Sequence, residues 1–137
     1  MADELIFRTR QDFREWLSST SSTQGVWLVF GKDDSLVTLS PSEALEEALC
    51  FGWIDGLIKK IDGSRYKKYF SPRRKGSRWS EKNKKLVARL VREKVMTSSG
   101  FKAIEQAKRD GRWDDVHDRT IPDEKYAEFE ALIGKSK

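Results

Sequence analysis

Trp53 to Phe70, WIDGLIKKIDGSRYKKYF, is the stretch that decides the fold. Its two halves, Trp53–Ile61 and Arg65–Phe70, are rich in aromatic and β-branched residues, which suit a pleated, half-buried surface. Asp62-Gly63-Ser64 lies between them, and a short run of this kind signals a hairpin. Two antiparallel strands therefore stand at the centre of the chain, and their apolar side needs a second layer to cover it.

Working backward, Ser40-Pro41-Ser42-Glu43 reads as a helix start. Serine caps, proline suits the first helical position, and Glu43 completes a capping box. Ala44, Leu45, Ala48 and Leu49 then form a core-facing stripe, and Gly52 ends the helix soon after Cys50. Gly25–Phe30 (GVWLVF) reads as a buried strand, with Leu36–Leu39 as a short partner beyond the turn Gly31–Ser35. A first helix begins at a Thr9 cap, with Phe13, Trp16 and Leu17 on one face.

Working forward, Ser71-Pro72 breaks the second hairpin strand and Arg73–Arg78 is a loop. Ser80 caps a helix to about Lys94, another runs from about Ser99 to Asp110, and a last one begins near Pro122. The predicted class is α+β: a small antiparallel sheet packed with helices, and a helical C-terminal region. The 137 residues read as a single domain, with a mixed α/β part over 1–79 and a helical part over 80–137.

Composition narrows the function. The net charge of +5 conceals a strong division. Lys59–Lys94 holds 15 Lys and Arg against 3 Asp and Glu, while the rest holds 12 against 19. Such a basic zone suits an anionic small molecule or a polyanion, and is equally compatible with a merely solvated surface. The single cysteine excludes an internal disulfide and a cysteine zinc cluster. Cys50 reads as a buried small hydrophobe rather than a nucleophile. His117, the one histidine, lies among scattered carboxylates, a weak metal pattern, so no metal or cofactor is expected. No window resembles a signal peptide or a membrane span, which makes the cytosol the expected location.

The candidate site lies between Phe51 and Asn83. Two glycines bracket Trp53 and Asp55 in FGWIDG, and glycine permits close backbone approach. Arg73 and Arg74 offer bidentate geometry for phosphate or carboxylate. Asp55 is expected to pair with one of them, in either a structural or a ligand-orienting role. Tyr66, Tyr69, Phe70 and Trp79 are available to stack on a ring or to fill the core. Asn83 falls within the apolar sector of its helix near the positive end, where an inward amide either ties the helix to its loop or holds a ligand. Trp53 and Trp79 would wall the resulting pocket.

Two other classes stay open. Lys82, Lys85, Arg89 and Arg92 form a basic ridge suited to nucleic acid. A small enzyme using Asp55 as acid or base is the third reading. No nucleophile motif, Walker loop or dinucleotide fingerprint is present, so the balance leans away from an enzyme.

The chain resembles the YdeI/OmpD-associated family, also called bacteriocin-protection proteins. The resemblance runs through Glu43–Gly56 (EALEEALCFGWIDG), Phe70–Arg74 (FSPRR), Ser77–Ser80 (SRWS) with Asn83, Gly100, Ala107, and Asp110–Trp113 (DGRW). It implies a small bacterial cytosolic protein, a helical C-terminal region, and a role in stress or envelope protection. Members often carry a longer acidic, helical tail.

Overall fold

The helix Pro41–Cys50, here α2, organises the molecule. Ser40 accepts the Glu43 backbone N–H while the Glu43 carboxylate accepts from the Ser40 N–H, closing the expected capping box. Ala44 and Ala48 face one side of this helix and Leu45 and Leu49 the other. Each side enters a separate apolar cluster.

The computed structural model describes residues 3–21, 23–74 and 79–113. The chain order is β1 (Glu4–Leu5), α1 (Arg10–Ser19), β2 (Val26–Gly31), α2, β3 (Trp53–Lys60), β4 (Arg65–Pro72), α3 (Glu81–Arg92) and α4 (Ser98–Arg109). The fold is α+β: among the described residues, a four-stranded sheet of order β1-β2-β4-β3 is packed with four helices.

The first cluster joins the sheet to α1 and to the alanine side of α2. Phe13, Leu28, Phe30 and Phe70 are fully buried there. The small alanines let α2 approach closely. The second cluster joins the leucine side of α2 to Val87 and Leu90 of α3 and to Ile104 and Ala107 of α4. Gly100 permits this contact, because a Cβ on it would lie 2.4 Å from the Cys50 carbonyl oxygen. That carbonyl, an orphan acceptor at the end of α2, receives the N–H and hydroxyl of Thr97.

Several sequence expectations need correction. The sheet is mixed, because β1 pairs parallel with β2. Leu36–Leu39 is not a strand. Thr38 instead turns its hydroxyl to the Gly31 N–H, and the Leu39 N–H reaches Phe7 O. The partner of β2 on that side of the sheet is β4. Pro72 does not end β4 early but pairs with Trp53. The β2 ladder begins only at Val26 opposite Phe70, so Pro72 needs no donor toward β2. His117 and the helix expected near Pro122 lie outside the described residues. Among the described residues no helix is long and apolar enough to cross a membrane.

The hairpin turn is held by Asp62. Its Oδ1 accepts the Ser64 N–H at 2.9 Å, and its Oδ2 accepts Arg65 Nε and Nη2 at 3.1 and 2.8 Å. The hydrogen bonds from Arg65, then that of the Ser64 backbone, lower the carboxyl pKa from 3.8 to about 2. A folded-state pKa below the unfolded one gives stability that is present above the unfolded value and lost as pH falls through the folded one. Asp62→Asn is therefore expected to melt below the parent at pH 7. The two melting curves should converge as pH falls from about 4 to about 2.

Candidate functional site

Gly52 leaves α2 with φ +79°, a conformation that favours glycine. Its carbonyl accepts the Arg73 N–H at 2.9 Å. This one bond fixes the paired arginines beside the FGWIDG turn. Ser80 then starts α3, its side chain accepting the Asn83 N–H at 3.1 Å. The turn, the end of β4 and the first turn of α3 thus meet.

They meet around a hollow of about 370 Å³. Asp55, Arg73, Arg74, Ser80 and Asn83 supply its polar lining, with Ile54, Ser71 and Pro72 between them. Four of the six residues named from sequence, Asp55, Arg73, Arg74 and Asn83, are therefore brought together. The two tryptophans are not in the lining. Trp53 is 5% exposed and packs in the first cluster, its ring 5.7 Å from Trp16. Trp79 is 3% exposed and packs in the second, 5.2 Å from Trp113.

Trp79 still acts on the site from below. The Arg73 guanidinium lies 3.9 Å from the centre of its ring. This stacking holds the flat group in one orientation. Burial pushes the Arg73 pKa down to about 10, although the nearby Asp55 carboxylate works in the opposite direction. The group remains a cation at neutral pH, but one from which water has been partly withdrawn. Arg74, by contrast, is exposed on the rim.

Asp55 does not form the expected ion pair with an arginine. Its Oδ2 lies 2.8 Å from Lys68 Nζ, and both side chains are largely buried. Strand pairing explains the choice: Phe70 stands opposite Asp55, and Lys68, two residues away along β4, is its diagonal neighbour on the same face. Ile58 is opposite Lys68, so β3 carries an extra residue between Asp55 and Ile58. The lysine neutralises the one acidic group among the described residues of the wall. An acid–base role for Asp55 would first require displacing it.

The basic ridge on α3 is divided. Lys82 and Arg92 are exposed, but Arg89 Nη2 is engaged by Glu46 and Nη1 lies 3.5 Å from Glu93. Lys85 also has a partner. Lys75 and Arg78 lie outside the described residues. Among the described residues no group of His, Cys, Asp and Glu could hold a metal ion. Cys50 is fully buried, and burial raises its thiol pKa.

Sequence reasoning missed two features. A second hollow of about 510 Å³, lined by Thr23, Gln24, Gly25 and Tyr69, shares the Ser71–Arg74 rim. Its only sequence signal is Gly25, where a Cβ would fall 2.3 Å from the Tyr69 ring. The other feature is a buried ion network. Glu47 on α2 accepts Arg10 Nε at 2.7 Å and Arg14 Nη1 at 2.9 Å. Arg14 also donates to Val95 O at 2.7 Å, joining α1, α2 and the segment after α3.

No curated protein and no solved structure matches the chain. Residues 5–103 match the model of a family described as a domain of unknown function, DUF8412, and they contain the hollow and its rim. The chain belongs to the DUF8412 family.

Proposed function

We propose that the chain binds a small anionic ligand, carrying phosphate or carboxylate, in the hollow between Arg74 and the start of α3. The observation that carries this reading is the convergence of Arg73, Arg74, Ser80 and Asn83 on one concave space. Arg73 is pre-oriented on Trp79 and partly desolvated, so an anion there faces a cation that water screens weakly. Arg74 stands at the mouth and closes on the ligand as a second clamp. The start of α3 adds the positive end of a helix dipole. Asn83 contributes an uncharged amide that reads the ligand's polar edge. The resemblance to the YdeI/OmpD-associated family adds a setting for this binding, a protective or stress role in the bacterial cytosol.

The test is thermal stabilisation by inorganic phosphate, pyrophosphate, sulfate and small carboxylates. A ligand at 100 times its Kd adds about 2.7 kcal/mol to the folded state. Arg74→Ala should leave the unliganded melting temperature nearly unchanged, because Arg74 is exposed. It should weaken binding at least tenfold, about 1.4 kcal/mol, through loss of a charge-assisted contact. Equal stabilisation of parent and variant by every anion would count against the site.

A further inference from the structure

The face of the sheet opposite the first cluster carries its own chemistry. Leu28, Phe30 and Phe70 point into the core. Trp27 and Tyr69 alternate with them along the strands, so their side chains stand on the other face. They are a directly opposed pair, their rings 5.2 Å apart in an edge-to-face arrangement. Lys59 and Lys67 are also directly opposed. Their ammonium groups lie 5.4 and 4.7 Å from the centre of the Trp27 ring. Glu4, on the neighbouring strand, pairs with Lys67 and supplies one opposing charge. Tyr69 also lines the second hollow, whose rim is Arg73 and Arg74. Half-buried rings and cations thus follow one another across the face.

We propose that this face binds single-stranded nucleic acid, with bases stacking on Trp27 and Tyr69 and phosphates held by Lys59 and Lys67. The alternation of flat rings and flexible cations suits a strand whose bases and phosphates are both accessible. A duplex hides its base faces, and a peptide of acidic residues alone offers no ring to stack. The lysines now over Trp27 are long and flexible. A cation on a half-buried ring is held by about 0.5–2 kcal/mol, a range that a base stacked on an aromatic, worth about 1–3 kcal/mol, can match or exceed. Phosphates would draw the ammonium groups outward and uncover the ring. This surface differs from the α3 ridge, where Arg89 is already held by Glu46. It does not depend on a small anion occupying the Asn83 hollow.

The experiment is fluorescence anisotropy of a labelled 12-mer oligothymidylate titrated with the whole chain across a series of salt concentrations. Folding of each variant is checked by circular dichroism. Trp27→Leu should weaken binding roughly tenfold without changing its salt dependence. The double variant K59Q/K67Q, on the sheet surface, should weaken binding and flatten the slope of log affinity against log salt by about 1.4, or about 0.7 per lost contact. Should Trp27→Leu fail to fold, the change in slope for K59Q/K67Q decides the matter. Arg74→Ala separates this surface from the anion hollow. Loss of phosphate binding there, with the Trp27 and lysine effects on the oligonucleotide intact, supports the sheet face independently. The proposal is overturned by no binding at low salt, by equal binding of duplex and single strand, or by an unaltered slope in K59Q/K67Q.

Discussion

Trp79→Ala is expected to lose about 3–5 kcal/mol of stability, the usual cost of truncating a buried tryptophan. Trp79 is 3% exposed, so its side chain leaves a cavity that the surrounding helices can fill only in part. It packs beside Trp113, 5.2 Å away, within the cluster that attaches α3 and α4 to α2. For a chain of this size the melting temperature should fall by on the order of 10 °C. Arg73 loses its stacking surface at the same time. Ligand affinity should therefore fall in any Trp79→Ala protein that remains folded. Trp79→Phe keeps a ring beneath the guanidinium and should recover much of both losses. Chemical denaturation beside anion titration separates the two effects. A Trp79→Ala protein as stable as the parent would contradict the packing described for the second cluster.

Glu47→Ala is expected to cost about 3 kcal/mol, near the lower end for breaking a buried ion pair. The carboxylate is 5% exposed and receives two arginines from α1. Removing it takes from Arg10 and Arg14, one turn apart on α1, the carboxylate that they share on α2. Burial opposes the charge on each arginine, but the hydrogen bonds to Glu46 and Glu47 for Arg10, and to Glu47 for Arg14, raise both pKa values. Both arginines retain some exposure and can turn toward water, which holds the loss near the lower end. Glu46→Ala should cost less, about 1 kcal/mol, because Glu46 is more exposed than Glu47 and its second partner, Arg89, is more exposed than Arg14. Urea denaturation of the two single variants measures the contrast directly. An equal or larger loss in Glu46→Ala would place the burden on the wrong carboxylate.

The parts of the fold that were legible in sequence are those fixed by local chemistry. Thr9, Ser40 and Ser80 cap their helices as their side chains dictate, and Gly52 ends α2. The hairpin follows from Asp62-Gly63-Ser64. What was not legible depends on contacts distant in sequence. Two residues suffice for β1, which is too short to show any periodicity. Glu47 reads as one of three glutamates in its helix, and its arginines lie 33 and 37 positions away. A helical wheel does place it about 60° from Ala44, at the border of the apolar stripe. That is the one sequence signal of its burial.

The site divides in the same way. Arg73, Arg74 and Asn83 could be grouped because the chain itself carries them from β4 into α3. Asp55 joined them through the Gly52 turn. Its partner is Lys68 because the register sets Asp55 opposite Phe70 and so diagonally beside Lys68, a pairing distant in sequence. Sequence alone puts the two tryptophans in the pocket wall as readily as in the core, because aromatics beside arginines suit both. Neighbours settle that choice. Trp16 of α1 receives Trp53, and Trp113 beyond α4 receives Trp79.

The most direct test of the anion hollow is a phosphate titration followed by nuclear magnetic resonance at the side-chain nitrogens of Arg73, Arg74 and Asn83. Saturable shifts at all three, moved at the two unmutated sites to at least tenfold higher phosphate by Arg74→Ala, are the predicted result. Shifts confined to Lys82 and Arg92, or shifts that rise linearly without saturation, would contradict it.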